Sequence, residues 1–167
     1  HKDVRLVAQL YTGTRIRELT AQQTNTRFLS KIEFVYGLLC DMAEAIGVQN
    51  APPVQETLGE AATCIEIIKS SLLTAELQAE VDPSNGVMYP ALQPLQIGRT
   101  WAPRMYPRLM EMVRRIGAGG LMQLPASVDA FDSPIGPDLE KYYRGAQIAA
   151  REKVGLFGVR GVFPVAL

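Results

Sequence analysis

Three long apolar stripes at helical spacing run through this chain, and they restrict it to a helical fold. Phe28, Ile32, Val35, Leu39, Met42 and Ile46 alternate by four and three residues, which places them on one face of an α-helix. Gly47 is positioned to end that helix, and Ala51-Pro52-Pro53 forms a stiff break behind it. From Val54 to about Val81 the stripe resumes through Leu58, Ala61, Ile65, Ile68, Leu72 and Ala75, giving a helix of roughly seven turns. Asp82-Pro83-Ser84-Asn85-Gly86 carries turn chemistry that stops it. A third helix is expected over 97–116, with Trp101, Met105, Leu109, Met112, Val113 and Ile116 inward. Pro103 and Pro107 fall inside it, so either a bend or a start nearer Pro103 is expected. Gly117-Ala118-Gly119-Gly120 closes that element.

The remaining segments are shorter. Residues 3–19 mix apolar and charged residues near helical spacing, with Gly13 interrupting. Residues 87–97, with Pro90 and Pro94, are expected to form an ordered loop and not a strand pair. Residues 121–137 read as loop, Asp138–Tyr143 as a short helix, and a last helix starts near Gln147 and runs through Ala150, Val154 and Phe157. No strand-like alternation of useful length and no solenoid repeat is visible. The expectation is an all-α chain of long, mostly antiparallel helices packed as a bundle over 1–157, with an atypical tail at 158–167.

Composition narrows the function. Hydrophobic residues make up 47% and charged residues 20% of 167 residues, as in a globular domain with a real core. Lys+Arg and Asp+Glu both number 17, which gives no basic field for nucleic acid and no polybasic membrane patch. Cys40 and Cys64 lie inside apolar helical patterns, as buried reduced thiols do. With no membrane-length apolar run and no secretory signal, a cytoplasmic location is expected. The single histidine, His1, argues against a histidine base or a multi-histidine metal site. Glu56, Glu60 and Glu66 share a helix, but a ferritin-like site needs a Glu-x-x-His pair, so they read as solvated or ion-paired and no metal ligand is assigned. The start at His1, with no Met and already in a helical pattern, is expected of a piece cut from a longer protein.

Several blocks carry a resemblance. Gln23-Thr24-Asn25-Thr26-Arg27 is followed by Lys31 and Glu33-Phe34, then Val54-Gln55-Glu56 with Leu58-Gly59-Glu60. Trp101-Ala102-Pro103-Arg104-Met105-Tyr106-Pro107-Arg108, Gly117-Ala118-Gly119-Gly120-Leu121-Met122, Pro125 and Pro134-Ile135-Gly136-Pro137-Asp138 come next, and Ala150-Arg151-Glu152-Lys153-Val154 with Leu156-Phe157 closes the series. In this order and spacing the blocks resemble the C-terminal domain of the 4-hydroxyphenylacetate 3-hydroxylase family of flavin-dependent phenol monooxygenases. The resemblance implies the C-terminal helical bundle of an acyl-CoA dehydrogenase-like fold, here incomplete. It implies hydroxylation of a phenol with reduced FAD and dioxygen, an NADH-dependent flavin reductase as partner, and a homotetramer whose core the bundles form. It also places the phenol-contacting residues upstream, so no catalytic residue is assigned here.

What the resemblance does assign is part of a cofactor site. Acyl-CoA dehydrogenase relatives bring a Gln-containing, glycine-rich turn at the end of a bundle helix to the FAD of a neighbouring subunit. Gly117, Gly119 and Gly120 occupy the similar turn, where a missing Cβ lets backbone N–H groups approach a diphosphate. Arg114 stands where a glutamine is expected, and Arg27 is a second candidate for the diphosphate. The blander reading is that such a turn is a helix cap, that Arg27, Arg104 and Arg108 form surface ion pairs, and that Trp101 and Tyr106 pack in the core. A 4-hydroxybutyryl-CoA dehydratase is a rival within the superfamily. That branch places an iron–sulfur-binding His and Cys where this chain has Gln22 and Leu29, which cannot ligate iron. A further alternative is a non-catalytic helical assembly module. The tail from Gly158 to Leu167, with two glycines and a proline, is read as lacking the family's last helix, leaving a groove that self-association would cover.

Overall fold

The computed structural model describes residues 3–158. The elements in order are α1 (Val4–Gly13), α2 (Ile16–Ala45), α3 (Pro52–Leu77), β1 (Glu80–Val81), β2 (Met88–Tyr89), α4 (Leu92–Met122), a 3-10 turn (Val128–Asp132), α5 (Gly136–Tyr142) and α6 (Ala150–Gly158). The fold is all-α apart from the two short strands. The tail expected over 158–167 lies outside the described residues from 159 onward, and Gly158 is the last residue of α6.

Each long helix begins and ends for a local reason. Between α1 and α2, Arg15 takes a left-handed conformation, φ 54°, which breaks the helical run just after Gly13. Gly47, at φ 75°, ends α2: its N–H bonds to the Glu44 carbonyl and the Val48 N–H to the Ala43 carbonyl, both at 2.9 Å. Pro52 and Pro53 do more than break the chain. They form the first turn of α3, where the missing N–H costs nothing, while Ala51 O accepts from Val54 N and Gln55 N. In α4 the expected bend at the prolines is not where the backbone departs from a helix. Pro103 and Pro107 keep helical torsions, and the departure is at Ala118, φ 40° and ψ −133°.

The helix limits correct three expectations. α3 ends at Leu77, short of Val81, and α4 starts at Leu92, upstream of residue 97. Between them lies an antiparallel strand pair, Glu80 opposite Tyr89 and Val81 opposite Met88, where an ordered loop was expected. The turn is held by side chains: Ser84 N and Oγ donate to Asp82 Oδ1 at 2.9 and 2.6 Å, and Val87 N donates to Asn85 Oδ1 at 2.9 Å. Arg15 donates from Nε to Asp82 Oδ2 at 3.2 Å, and its guanidinium lies 5.6 Å from the centre of the Tyr89 ring. The two hydrogen bonds from Ser84, then Arg15, hold the Asp82 carboxyl below its ordinary range.

The residues group into two compact units. The first comprises residues up to Glu33 and Ala62–Tyr106, and so contains the N-terminal half of α2, most of α3 and the first half of α4. Its core includes Ile32, Cys64, Ile65, Ile68, Leu72, Ala75 and Leu95, so the predicted stripe of α3 does face inward. α2 runs antiparallel to α3 here, with Glu33 near Lys69 (3.3 Å) and Gln22 near Glu76 (2.9 Å). The buried Asn25 carboxamide donates to Ala21 O at 2.8 Å and to Leu95 O at 3.0 Å, tying α2 to α4.

The second unit comprises Phe34–Ala61 and the residues from Pro107 onward. Val35, Leu39, Met42, Leu109, Met112, Ile116, Leu121 and Phe157 are buried here, each worth about 1.5–3 kcal/mol when removed fully from water. Phe131, Leu139, Ala150 and Val154 form a cluster that holds the 3-10 turn, α5 and α6 together. The loop before α6 closes the C-terminal end of α2, with Ala146 N donating to Ala45 O at 2.8 Å. Cys40 is half-buried and Cys64 buried, and neither forms a disulfide among the described residues.

Candidate cofactor-binding corner

The glycine block predicted to meet a cofactor lies in the second unit, at the break in α4. Its residues use their missing side chains differently. A Cβ at Gly117 would lie 2.2 Å from Leu121 Cδ1 and 2.8 Å from Met42 Cε, so this buried glycine lets α4 close on α2 and on its own next turn. A Cβ at Gly120 would touch the Phe157 ring at 3.4 Å, so this position packs against α6. Around Gly119 nothing lies within 4 Å of such a Cβ, and the residue is exposed. Gly119 is therefore the member of the block with no side chain packed against it, and its carbonyl accepts from Gln123 N at 3.2 Å.

Ala118 sets the course of the backbone at that point. Its torsions, φ 40° and ψ −133°, are ones an L-residue with a side chain rarely adopts, and holding them costs about 1–3 kcal/mol. The packing of Gly117 and Gly120 on either side supplies what fixes it. Nothing in the sequence marks Ala118 as strained, since alanine is the best helix former; the flanking glycines are the only signal.

The arginines divide by what they touch. Arg108 donates from Nε and Nη2 to the two Glu60 oxygens, each at 2.9 Å, and from Nη1 to Glu111 at 2.9 Å. That fork holds the Glu60 carboxyl below its ordinary range, and Arg115 adds to the effect through its charge. Arg108 is thus the ion-pair former expected, and Glu60 the paired carboxylate. Arg114, one turn before the break, is exposed and enters no ion pair among the described residues. Arg115, its neighbour in sequence, acts through its charge on Glu60 instead. Arg27 lies in the first unit, exposed on α2, and also enters no ion pair among the described residues. The structure thus brings Arg114, Gly117, Gly119 and Gly120 together on one helix and places Arg27 on another. Of the aromatics, Trp101 and Tyr106 are half-buried, and the Lys31 ammonium sits 4.2 Å from the centre of the Tyr106 ring.

Chemically, an exposed glycine and an exposed guanidinium are groups that can approach a phosphate. A family model described as 4-hydroxyphenylacetate 3-hydroxylase C terminal matches residues 7–159. The chain belongs to this hydroxylase family.

The hydroxylase family's members are longer. A probable 4-hydroxyphenylacetate 3-monooxygenase from Bacillus subtilis is 34% identical over 157 residues, covering 94% of this chain and 32% of the relative. The chain thus spans about a third of the length of the curated relatives it matches. Among solved structures, the oxygenase component of 4-hydroxyphenylacetate 3-monooxygenase, complexed with FAD and 4-hydroxyphenylacetate, superposes with a TM-score of 0.87 at 35% identity, covering 93% of this chain and 32% of that one. A 4-hydroxybutyryl-CoA dehydratase from N. maritimus reaches a TM-score of 0.78 at 19% identity over 86% of this chain and 28% of that one, which is a likeness of fold alone. The acyl-CoA dehydrogenase-like bundle expected from the sequence is the fold observed. None of the described helices is long and apolar enough to cross a membrane.

Proposed function

We propose that this chain is the C-terminal bundle of the oxygenase component of a two-component monooxygenase that hydroxylates a phenol with reduced FAD and dioxygen. The observation that carries this reading is the corner at 117–120, together with membership of the hydroxylase family. Bound there, reduced FAD would supply the electrons that activate dioxygen toward the aromatic ring. The chain's own residues would hold it. Gly119 would admit the diphosphate to its backbone, and Arg114 would neutralise phosphate charge through a charge-assisted hydrogen bond. Gly117 and Gly120, packed inward, would fix the corner, while Arg27, in the other unit, would meet a phosphate independently of it. The phenol-binding residues would come from the polypeptide upstream of this chain. The reading includes an NADH-dependent reductase that delivers the flavin, a homotetramer with the bundles at its core, and a cytoplasmic location.

The test uses the full-length parent, a flavin reductase, NADH, FAD and a panel of phenols that includes 4-hydroxyphenylacetate. The reading expects an ortho- or para-dihydroxylated product that depends on both components. Absence of such a product across the panel, with flavin reduction confirmed, would refute it.

A further inference from the structure

Helix α1 is regular, yet no residue of its apolar face is buried by the described residues. Its ten residues, Val4–Gly13, include none that is buried. Val4 is 80% exposed and Leu6 66%, and Val7, Leu10 and Tyr11 are all more than half exposed. At about 100° per residue these five side chains fall on one side of the helix, and Arg5, Gln9 and Thr12 fall on the other. The start is capped, Asp3 Oδ1 accepting from Arg5 N at 3.0 Å. Capping alone does not hold such a helix: isolated helices shorter than about 12–15 residues are marginal in water, and stability comes from burying the apolar face. This face is built to be covered, and the covering surface is not in residues 3–158.

We infer that the apolar face of α1 docks on the part of the parent polypeptide that lies upstream of this chain. Two observations choose that occupant. The chain matches about a third of its relatives' length, and the matched family model is their C-terminal region, so the part of the relatives without a counterpart here lies largely on the N-terminal side. α1 is the first element, where that upstream part would join, so docking there closes only a short loop. The exposed face, Val4, Leu6, Val7, Leu10 and Tyr11, carries no charge, so its partner is an apolar surface and the contact will not weaken with salt. α1 would then act as the strap between the bundle and the preceding domain. The inference rests on the reading that the parent continues upstream as its relatives do.

The test is hydrogen exchange with mass spectrometry on the full-length parent at several protein concentrations, with cross-linking from a benzophenone attached through Ala8→Cys, beside Val4 and Tyr11 on the rim of the apolar face. The amides of residues 8–13 are expected to exchange about a hundredfold or more slower than in an unstructured peptide, independent of concentration. The Ala8→Cys cross-link is expected to land upstream of His1, with the same probe on the native cysteines alone as control. Exchange at unstructured rates, or cross-links confined to residues 14–158 of a second copy, would overturn the docking. Phenol hydroxylation by the same preparation separates the two readings. An active enzyme with unprotected α1 removes the docking alone, and an inactive one with protected α1 removes the hydroxylase reading alone.

Discussion

The Asn25 carboxamide occupies the space that a side chain at position 98 would need: a Cβ on Gly98 would lie 1.5 Å from Asn25 Oδ1. Asn25 is 1% exposed and donates to both Ala21 O and Leu95 O, so the amide cannot move aside without abandoning a buried hydrogen bond. Gly98→Ala should therefore destabilise by about 2 kcal/mol or more, through overpacking against a buried polar group. Asn25→Ala removes the obstruction, so the double variant should be more stable than the sum of the single losses by about 0.5–3 kcal/mol. Denaturant unfolding of the four proteins reads the coupling. Additive losses would show that the two positions do not share this space.

Ala118 holds torsions suited to glycine, φ 40° and ψ −133°. Ala118→Gly should raise stability by about 1 kcal/mol, because relief of strain outweighs the added freedom of the unfolded chain. A lowered unfolding midpoint would mean that the alanine methyl makes a contact the corner needs.

The Arg108–Glu60 fork makes an acid-dependent contribution. Glu60 has its folded-state pKa lowered, chiefly by the hydrogen bonds from Arg108, so its stabilisation is present above the unfolded carboxylate pKa and is lost as pH falls through the folded value. Glu60→Gln should lower the melting temperature at neutral pH, and the gap to wild type should close as the solution is acidified below the carboxylate range. A gap that stays constant with pH would show that the loss comes from packing.

Much of the fold was legible in the sequence because one rule governs most of it. Ile32, Val35, Leu39 and Met42 are spaced for one helix face, and they lie buried there. The misread parts are set by contacts between distant residues. The hairpin at 80–89 has strands too short to alternate; it depends on Ser84 and Asn85 bonding locally and on Arg15 reaching Asp82 from the start of α2. Pro103 and Pro107 read as a bend or a helix start, yet their backbone torsions stay helical. At the candidate site the glycine block was visible as a block. Which glycine is open depends on Met42, Leu121 and Phe157 filling the space at the others, and no local pattern carries that information. The strain at Ala118 and the use of Gly98 as a slot for Asn25 were likewise invisible until the helices were placed together.

The central claim is that the corner after Arg114 holds a flavin, and a titration of reduced FAD into the full-length parent under anaerobic conditions tests it most directly. Arg114→Ala and Gly119→Val should each weaken reduced FAD by about tenfold or more, the scale of one charge-assisted hydrogen bond, while Arg104→Ala, elsewhere on the exposed surface of α4, should leave it unchanged. Wild-type affinity in both corner variants, with their folding intact, would contradict the account.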